Sequence, residues 1–158
     1  MKTENTNKTE LKDLIEKALE MRKYSYVPYS HFHVGVALLA KNRQVYGGCN
    51  IENASYGAAN CAERTAIFHA VSEGVKEFSR IVITGGPEDG ELQFCAPCGI
   101  CRQVMMEFCD PKRFEIILAK SVDEYRTYTL EQLLPEGFGP ANLLQGADTE
   151  SAFDTVQL

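Results

Sequence analysis

The 158-residue sequence has no excess of basic side chains. It carries 16 lysines and arginines against 22 aspartates and glutamates, for a formal net charge of -6 at pH 7. A protein that holds nucleic acid usually neutralises phosphates with a basic face. The charge balance therefore argues against nucleic acid as a partner. The length and the 44% of hydrophobic residues fit one compact domain.

Long apolar runs are also missing. No stretch approaches the roughly 18 apolar residues of a membrane span, and the first residues, MKTENTNKTE, lack the apolar core of a secretory signal. We therefore expect no membrane partner and a cytoplasmic location. Because that compartment disfavours disulfides, the six cysteines need another explanation. Cys95, Cys98 and Cys101 follow one another at a spacing typical of metal sites.

The hydrophobic pattern predicts an α/β fold. Apolar residues recur at helical spacing from Leu11, and Pro28 is expected to end this helix. Helices are also predicted over residues 60–74, with Asn60 as the cap, over residues 97–108, and after a Thr129–Gln132 capping box. Strands are predicted over residues 34–40, 45–51, 80–84, 114–119 and 125–129. The order αββαβαββα predicts three α/β/α layers around a mixed sheet of about five strands.

The two ends of the sequence differ from its middle. Residues 1–8 are polar and are expected to be frayed, whereas residues 145–158 are acidic and poor in apolar clusters. We predict a single catalytic domain over residues 1–144 followed by a mobile tail.

Three cysteines are placed for a metal ion. Cys61 opens one predicted helix, and Cys98 and Cys101 lie in the first turn of another, where free N–H groups and the helix dipole favour thiolates. They form three legs of a zinc tetrahedron, and the fourth position decides the function. Water there would have its pKa lowered towards about 7 and become a nucleophile. A fourth protein ligand would make the zinc structural, and the candidates are Cys95, Cys109, His31, His33 and His69.

A second metal interpretation is an iron–sulfur cluster on Cys95, Cys98 and Cys101. The spacing to Cys109, the nearest fourth ligand, is too long for that cluster. It also leaves the Cys61-Ala-Glu63 segment without a role.

Charged residues adjoin the predicted ligands. Glu63 follows Cys61 by two residues on the same helical turn. It could exchange a proton with a water at the metal, or fold back on Asn60 as a capping-box residue. Three thiolates leave zinc with a net negative charge, so a cation should donate hydrogen bonds to the sulfurs. Arg64 and Arg102 are both adjacent to a ligand, and we favour Arg64.

Cys61-Ala-Glu63 together with Pro97-Cys98-x-x-Cys101 is the three-cysteine form of the zinc deaminase signature. Further segments extend the likeness: Tyr29-Ser-His-Phe32-His-Val34-Gly-Val-Ala, Asn50-Ile-Glu52-Asn53-Ala-Ser-Tyr56 and Leu133-Leu-Pro135-Glu-Gly-Phe138-Gly-Pro140. From about Leu11 to Leu144 the sequence closely resembles the small homotetrameric cytidine deaminases.

The resemblance implies one Zn²⁺ per chain on Cys61, Cys98 and Cys101. It makes Glu63 the catalytic acid and base, and Arg64 the group that offsets the charge of the cysteines. It also implies a nucleoside site whose residues are Phe32, Asn50, Glu52, Tyr56, Ala62 and Phe138.

The resemblance gives these substrate residues separate roles. Asn50 and Glu52 would hold a ribose hydroxyl, and Phe32 would pack on the ring. Phe138 would reach into a neighbouring subunit of a homotetramer; the other interpretation is an aromatic residue that caps its own core.

The activity implied is hydrolytic deamination of cytidine and 2'-deoxycytidine to uridine and 2'-deoxyuridine, a step of pyrimidine salvage. Two alternatives stay open: a deaminase of another cytosine nucleoside, of the blasticidin type, and a non-catalytic interaction protein stapled by zinc. The sequence departs from the family pattern at Cys95, at His33 and in the tail. Cys95 is expected to be a spectator thiol near the site, and the histidines are not expected to be ligands.

Overall fold

The computed structural model describes residues 2–144, with side chains from residue 9 onward. The predicted mobile tail, residues 145–158, lies outside the described residues. The regular elements are α1 (Lys2–Met21), β1 (Phe32–Ala40), β2 (Val45–Cys49), α2 (Ala62–Ser72), β3 (Phe78–Pro87), α3 (Gly99–Phe108), β4 (Glu115–Ala119), β5 (Tyr125–Thr129), α4 (Leu130–Leu133) and α5 (Pro140–Leu143). None of the helices within residues 2–144 combines the length and apolar character that crossing a membrane requires.

The strands form one five-stranded sheet in the order β2-β1-β3-β4-β5. The pair β3 and β4 is parallel, and the other three pairs are antiparallel. A parallel pair needs a crossover connection, and α3 lies on the one that joins β3 to β4. The predicted mixed sheet of about five strands is therefore confirmed.

Helices cover both faces of the sheet. Strand β1 accordingly has apolar residues on both sides, at every position from Val34 to Ala40 apart from Gly35. Ala37 and Leu39 face α1, where Leu14, Ile15 and Ala18 are buried. Alternate residues of β1 face the other way, into the larger core that α2 and α3 cover. This larger core includes Val36, Leu38, Ala66, Ile67, Ile83 and Met105. The three-layer α/β/α prediction is confirmed.

The first helix has different ends from those predicted. It begins at Lys2, so its backbone is already helical within the stretch expected to be frayed, and it ends at Met21 rather than near Pro28. A 3-10 turn over Arg22–Tyr24 follows. The chain then leaves the helix because Tyr26 pairs with the segment after β2: its N–H donates to the Asn50 carbonyl, and its carbonyl accepts from the Glu52 N–H.

Two smaller differences occur elsewhere. Asn60 does not cap α2, because its main chain pairs with Ile51 and its side chain donates to the Thr65 hydroxyl. The N-cap is Cys61 instead. Helix α5 was not predicted; Pro140 occupies its first position, and the Asn142 side chain accepts from the Gly139 N–H. The Thr129–Gln132 capping box is present as predicted.

Helix α2 lies directly against Gly48 of β2. A Cβ at this position would collide with the Ala62 carbonyl oxygen and lie 2.7 Å from the Ala66 nitrogen. Both are backbone atoms near the start of α2, so a side chain would push away the helix that carries Cys61 and Glu63. Gly48 thus sets the distance between the sheet and this helix.

We predict that Gly48→Ala lowers the free energy of unfolding by about 2 kcal/mol or more, because overpacking against backbone cannot relax by a rotamer change. Thermal and urea unfolding of the zinc-loaded protein measure the effect. Gly57→Ala is the matched control, since a Cβ there meets no described atom within 4 Å; it should change the free energy by less than about 0.5 kcal/mol. Equal stability of the two variants would contradict the packing argument.

Candidate active site

The N-termini of α2 and α3 bring three cysteines together. Cys61 is the N-cap of α2, Cys98 is the N-cap of α3, and Cys101 lies in the first turn of α3. Their sulfur atoms all lie within 4.8 Å of one another, and the Sγ atoms of Cys61 and Cys98 are 3.7 Å apart. Unpaired N–H groups and the positive ends of two helix dipoles favour negative charge at this point.

The geometry of the three thiols fits zinc. Zn–S bonds of about 2.3 Å place the sulfurs of a tetrahedral site about 3.8 Å apart, close to the separation of Cys61 and Cys98. Among the described residues, no further cysteine, histidine or carboxylate belongs to this group. Cys61, Cys98 and Cys101 are therefore positioned to hold a metal ion, as the spacing predicts.

The alternative metal interpretations do not match this geometry. All six cysteines lie within the described residues and are free thiols. Cys109 is buried at the far end of α3, so it cannot complete an iron–sulfur cluster with Cys98 and Cys101. His69 bonds to Glu73 at the C-terminal end of α2, and His33 contacts the Arg22 carbonyl.

Hydrogen bonding shifts the pKa values of Cys61 and Cys101 in opposite directions. The pKa of Cys61 is lowered because its sulfur accepts hydrogen bonds from the Cys101 thiol and from Arg64. The same bond to Cys61, together with burial, raises the pKa of Cys101. Of these two thiols, Cys61 is therefore the one whose ionised form is favoured by its surroundings.

Arg64 is the cation at the sulfurs. Its Nη2 lies 3.6 Å from the Cys61 Sγ and 3.4 Å from the Ala59 carbonyl oxygen. The bond to Cys61 raises the pKa of the guanidinium. Arg102, the other candidate, donates instead to the carbonyls of Pro97 and Leu133, at 2.8 and 2.7 Å. It fastens the start of α3 to α4 and does not contact the sulfurs.

Glu63 is a buried carboxyl group beside the metal centre. Only 4% of the residue is exposed, and its Oε2 lies 3.5 Å from the Cys101 Sγ. The side chain therefore does not fold back on Asn60 as a capping-box residue would. Burial raises the pKa of Glu63. A carboxyl group with a raised pKa can both accept and return a proton near neutral pH.

A cavity of about 480 Å³ opens onto this centre. Its walls come from β1, from the segment after β2, and from the N-terminal turns of α2 and α3. Among the residues that line it are Phe32, Asn50, Glu52, Tyr56, Cys61, Ala62, Glu63, Arg64 and Cys98. Phe138 is the one predicted substrate residue that does not line it; this side chain is 57% exposed.

Asn50 and Glu52 are anchored to the main chain at the start of β1. The Asn50 Oδ1 accepts from the Val34 N–H at 2.9 Å, and its Nδ2 donates to the Phe32 carbonyl at 2.8 Å. The Glu52 Oε2 accepts from the N–H groups of Tyr29 and Ser30. One Nδ2 hydrogen and the second carboxylate oxygen remain beyond these bonds. The segment itself is not part of β2, which ends at Cys49 and not at Ile51 as predicted.

Gly85 is a site residue that sequence reasoning missed. A Cβ at Gly85 would lie 2.7 Å from the Cys95 Cβ and 3.2 Å from the Phe32 Cε1. The glycine thus makes room for both side chains at the cavity wall. Burial raises the pKa of Cys95 to about 11, so this thiol stays neutral. In the sequence, Gly85 signals only the end of a strand.

Three thiols and a buried glutamate at two helix N-termini, on an α/β/α sheet, define the class of zinc deaminases that act on nucleobases. Comparison with known proteins agrees. Residues 8–117 match the family described as the cytidine and deoxycytidylate deaminase zinc-binding region. The chain belongs to this family.

Curated relatives and solved structures cover most of the chain. The cytidine deaminase of Sporosarcina psychrophila is 41% identical over 139 residues, which span 88% of this chain and 98% of the relative. That of Halalkalibacterium halodurans is 45% identical over 79% of this chain and 91% of its own. The crystal structure of cytidine deaminase from Burkholderia pseudomallei superposes with a TM-score of 0.71 at 44% identity, covering 80% of this chain and 97% of that one.

We predict that replacing Cys61, Cys98 or Cys101 by serine removes most of the bound zinc. The wild type should hold about one zinc per chain, and a site with two thiolates has lost one of three protein ligands. Elemental analysis of the purified variants after dialysis measures the metal content.

Cys95→Ser and Cys109→Ser are the matched controls, because neither thiol belongs to the group. Both variants should retain zinc at the wild-type level. Loss of zinc from either control would indicate a fourth protein ligand and a structural metal site.

Proposed function

We propose that the protein catalyses hydrolytic deamination of cytidine and 2'-deoxycytidine, giving uridine or 2'-deoxyuridine and ammonia. The observation that carries the proposal is the buried Glu63 carboxyl beside three thiols positioned to hold a metal ion. Cys61, Cys98 and Cys101 would hold a zinc ion, which would supply Lewis acidity and lower the pKa of a water molecule.

Glu63 moves the protons of the reaction. Its carboxylate accepts a proton from the attacking water as oxygen adds to C4 of the base. The carboxyl group delivers this proton to the ring nitrogen. Glu63 then takes up the remaining proton of the added hydroxyl group and delivers it to the amine, so that the C4–N bond breaks, a C4 carbonyl forms, ammonia leaves and the carboxylate is restored. Its burial supports this role, because a group shielded from bulk water exchanges protons only with what enters the cavity.

The proposed substrate is a nucleoside without a phosphate. Asn50 would donate its remaining Nδ2 hydrogen to a ribose hydroxyl, and the second carboxylate oxygen of Glu52 would accept from it. Phe32 would pack on the ring. Arg64, the only basic residue among those that line the cavity, is engaged with Cys61 and Ala59. A phosphate would instead meet the Glu52 carboxylate. The two curated relatives are named as cytidine deaminases.

We also propose a homotetramer in which Phe138 enters the site of a neighbouring subunit. Phe138 is exposed, and Gln103 fixes its main chain by donating to its carbonyl at 2.9 Å. Further exposed aromatic and aliphatic side chains lie at or near the cavity mouth: Tyr29, Ile51, Tyr56 and Ile100. Covering them by other subunits would remove apolar surface from water. The proposal also keeps one catalytic domain over residues 1–144 and a cytoplasmic role in pyrimidine salvage.

We predict that Glu63→Gln lowers turnover at least about a thousandfold while zinc stays bound. Glutamine preserves size and leaves the three thiols untouched, but it cannot accept a proton. An ultraviolet assay measures turnover of cytidine, 2'-deoxycytidine, cytosine and CMP, and elemental analysis measures zinc in the same samples.

The wild type should be active on both nucleosides and inactive on the base and the nucleotide. Undiminished turnover by Glu63→Gln would contradict the proton-transfer role. A zinc-loaded wild type that turns over none of the four compounds would contradict the proposed substrate, and blasticidin S is then the next compound to assay.

Phe138→Ala should raise KM for cytidine about three- to tenfold with a smaller change in kcat, because an aromatic stacking contact is lost. The sharper test mixes Phe138→Ala chains with Glu63→Gln chains under conditions that exchange subunits. If Phe138 acts across subunits, mixed oligomers contain sites with an intact Glu63 and an intact Phe138. A fraction of sites should then regain the wild-type KM; activity equal to the sum of the separate variants would contradict the exchange of Phe138.

A further inference from the structure

Ser30 connects two residues that line the cavity. Its Oγ accepts a hydrogen bond from the Phe32 N–H at 3.1 Å, and its own N–H donates to the Glu52 Oε2 at 3.2 Å. The Tyr29 N–H donates to the same oxygen at 2.9 Å. The turn before β1 therefore holds both the main chain of Phe32 and the carboxylate of Glu52.

The Ser30 hydroxyl, which bonds to Phe32, also influences Glu52. A hydroxyl that accepts through oxygen still has its hydrogen to donate. A hydrogen bond from this side chain is the largest cause that holds the pKa of Glu52 below its ordinary value, and the nearby His31 acts in the same direction. Glu52 is thus held by two main-chain donors of the turn, and the Ser30 side chain helps to keep it ionised.

Nothing else in the turn can replace this link. His31 adopts a left-handed backbone conformation with φ of 53°, and its N–H donates to the Val27 carbonyl. Its ring contacts Glu88, 3.4 Å away, on the side of β3. The Tyr29 side chain packs against Tyr56. Among Tyr29, Ser30 and His31, only Ser30 bonds to both Phe32 and Glu52.

We propose that Ser30 is a positioning residue that holds the Glu52 carboxylate and Phe32 in register for the nucleoside. The inference rests on the proposed function, because it assigns Glu52 to the sugar and Phe32 to the ring. Ser30 does not touch the metal centre or the reacting atoms. Its loss should therefore weaken substrate binding and leave the chemical step nearly unchanged.

The test compares cytidine kinetics of zinc-loaded wild type, Ser30→Ala and Ser30→Thr. Ser30→Ala should raise KM about five- to tenfold and change kcat by less than about twofold. The substitution removes the hydroxyl that bonds to Phe32 and lowers the pKa of Glu52, while the main-chain bonds to Glu52 stay. Ser30→Thr keeps the hydroxyl and should restore KM to within about twofold. An unchanged KM in Ser30→Ala, or a fall in kcat alone, would overturn the proposal.

Ser25→Ala is the matched control. Its hydroxyl also bonds to the main chain of β1, donating to the Val34 carbonyl at 3.1 Å, but it does not contact Glu52. Its KM should stay within about twofold of the wild type. A rise equal to that of Ser30→Ala would show that any loosening of this segment has the same effect.

Two further measurements separate positioning from general loosening. In a Glu52→Gln background, Ser30→Ala should raise KM by a smaller factor than in the wild type, because the part of its effect that acts through Glu52 is already lost. Carboxyl ¹³C titration should show a higher pKa for Glu52 in Ser30→Ala than in the wild type. Full additivity of the two substitutions, or an unchanged Glu52 pKa, would overturn the inference.

The failures are distinguishable. If the wild type does not deaminate cytidine, the proposed function fails, and the Glu52 titration still decides whether Ser30 holds the carboxylate. If the wild type is active and Ser30→Ala matches it, only the Ser30 inference fails.

Discussion

The meeting of two helix N-termini is the contact on which the rest of the site depends. Helices α2 and α3 start within reach of each other, so that three sulfurs approach to within 4.8 Å. This approach requires α2 to lie flat on β2, where Gly48 leaves no Cβ in its way. It also requires α3 to be fixed along its length, which Cys101, Met105 and Met106 achieve by burial. The position of the metal ligands is thus a consequence of how the helices pack on the sheet.

Gathering three thiols and a carboxyl group at one point has an electrostatic cost, and the fold offsets it in three ways. The two helix dipoles present their positive ends, and Arg64 donates to the sulfur of Cys61. The third contribution comes from Glu63. Burial raises the pKa of its carboxyl group, which therefore resists ionisation next to the thiols. A group that resists ionisation at this point is also one that can carry a proton through a reaction. Charge compensation and proton transfer therefore have the same structural cause.

The sequence predicts those features that depend on local spacing. A continuous apolar run, alternation and β-branched or aromatic content predict the strands, and apolar residues at helical spacing and cap signals predict the main helices. The positions of Cys61, Cys98 and Cys101 place them at helix starts. Features that depend on contacts with residues distant in the sequence could not be predicted from local spacing. Asn60 has the chemistry of a cap, but pairing with Ile51 and Thr65 engages it, so Cys61 caps the helix. The end of α1 at Met21 depends on pairing of Tyr26 with a segment about 25 residues further along.

The residues proposed for sugar recognition also fold the wall in which they lie. The segment from Ser25 to His31 belongs to neither a helix nor a strand of the sheet, and several of its donors are satisfied by Glu52 and by the main chain of Asn50. The Asn50 side chain in turn bonds to the first residues of β1. The atoms of Asn50 and Glu52 that are proposed to face the substrate thus belong to side chains that already hold this loop in place. Binding and local order are then linked, because a ligand that engages Asn50 and Glu52 stabilises only the conformation in which this wall is formed. A substitution here that lowers affinity need not remove a direct contact, since loosening the wall has the same effect as losing a bond to the sugar.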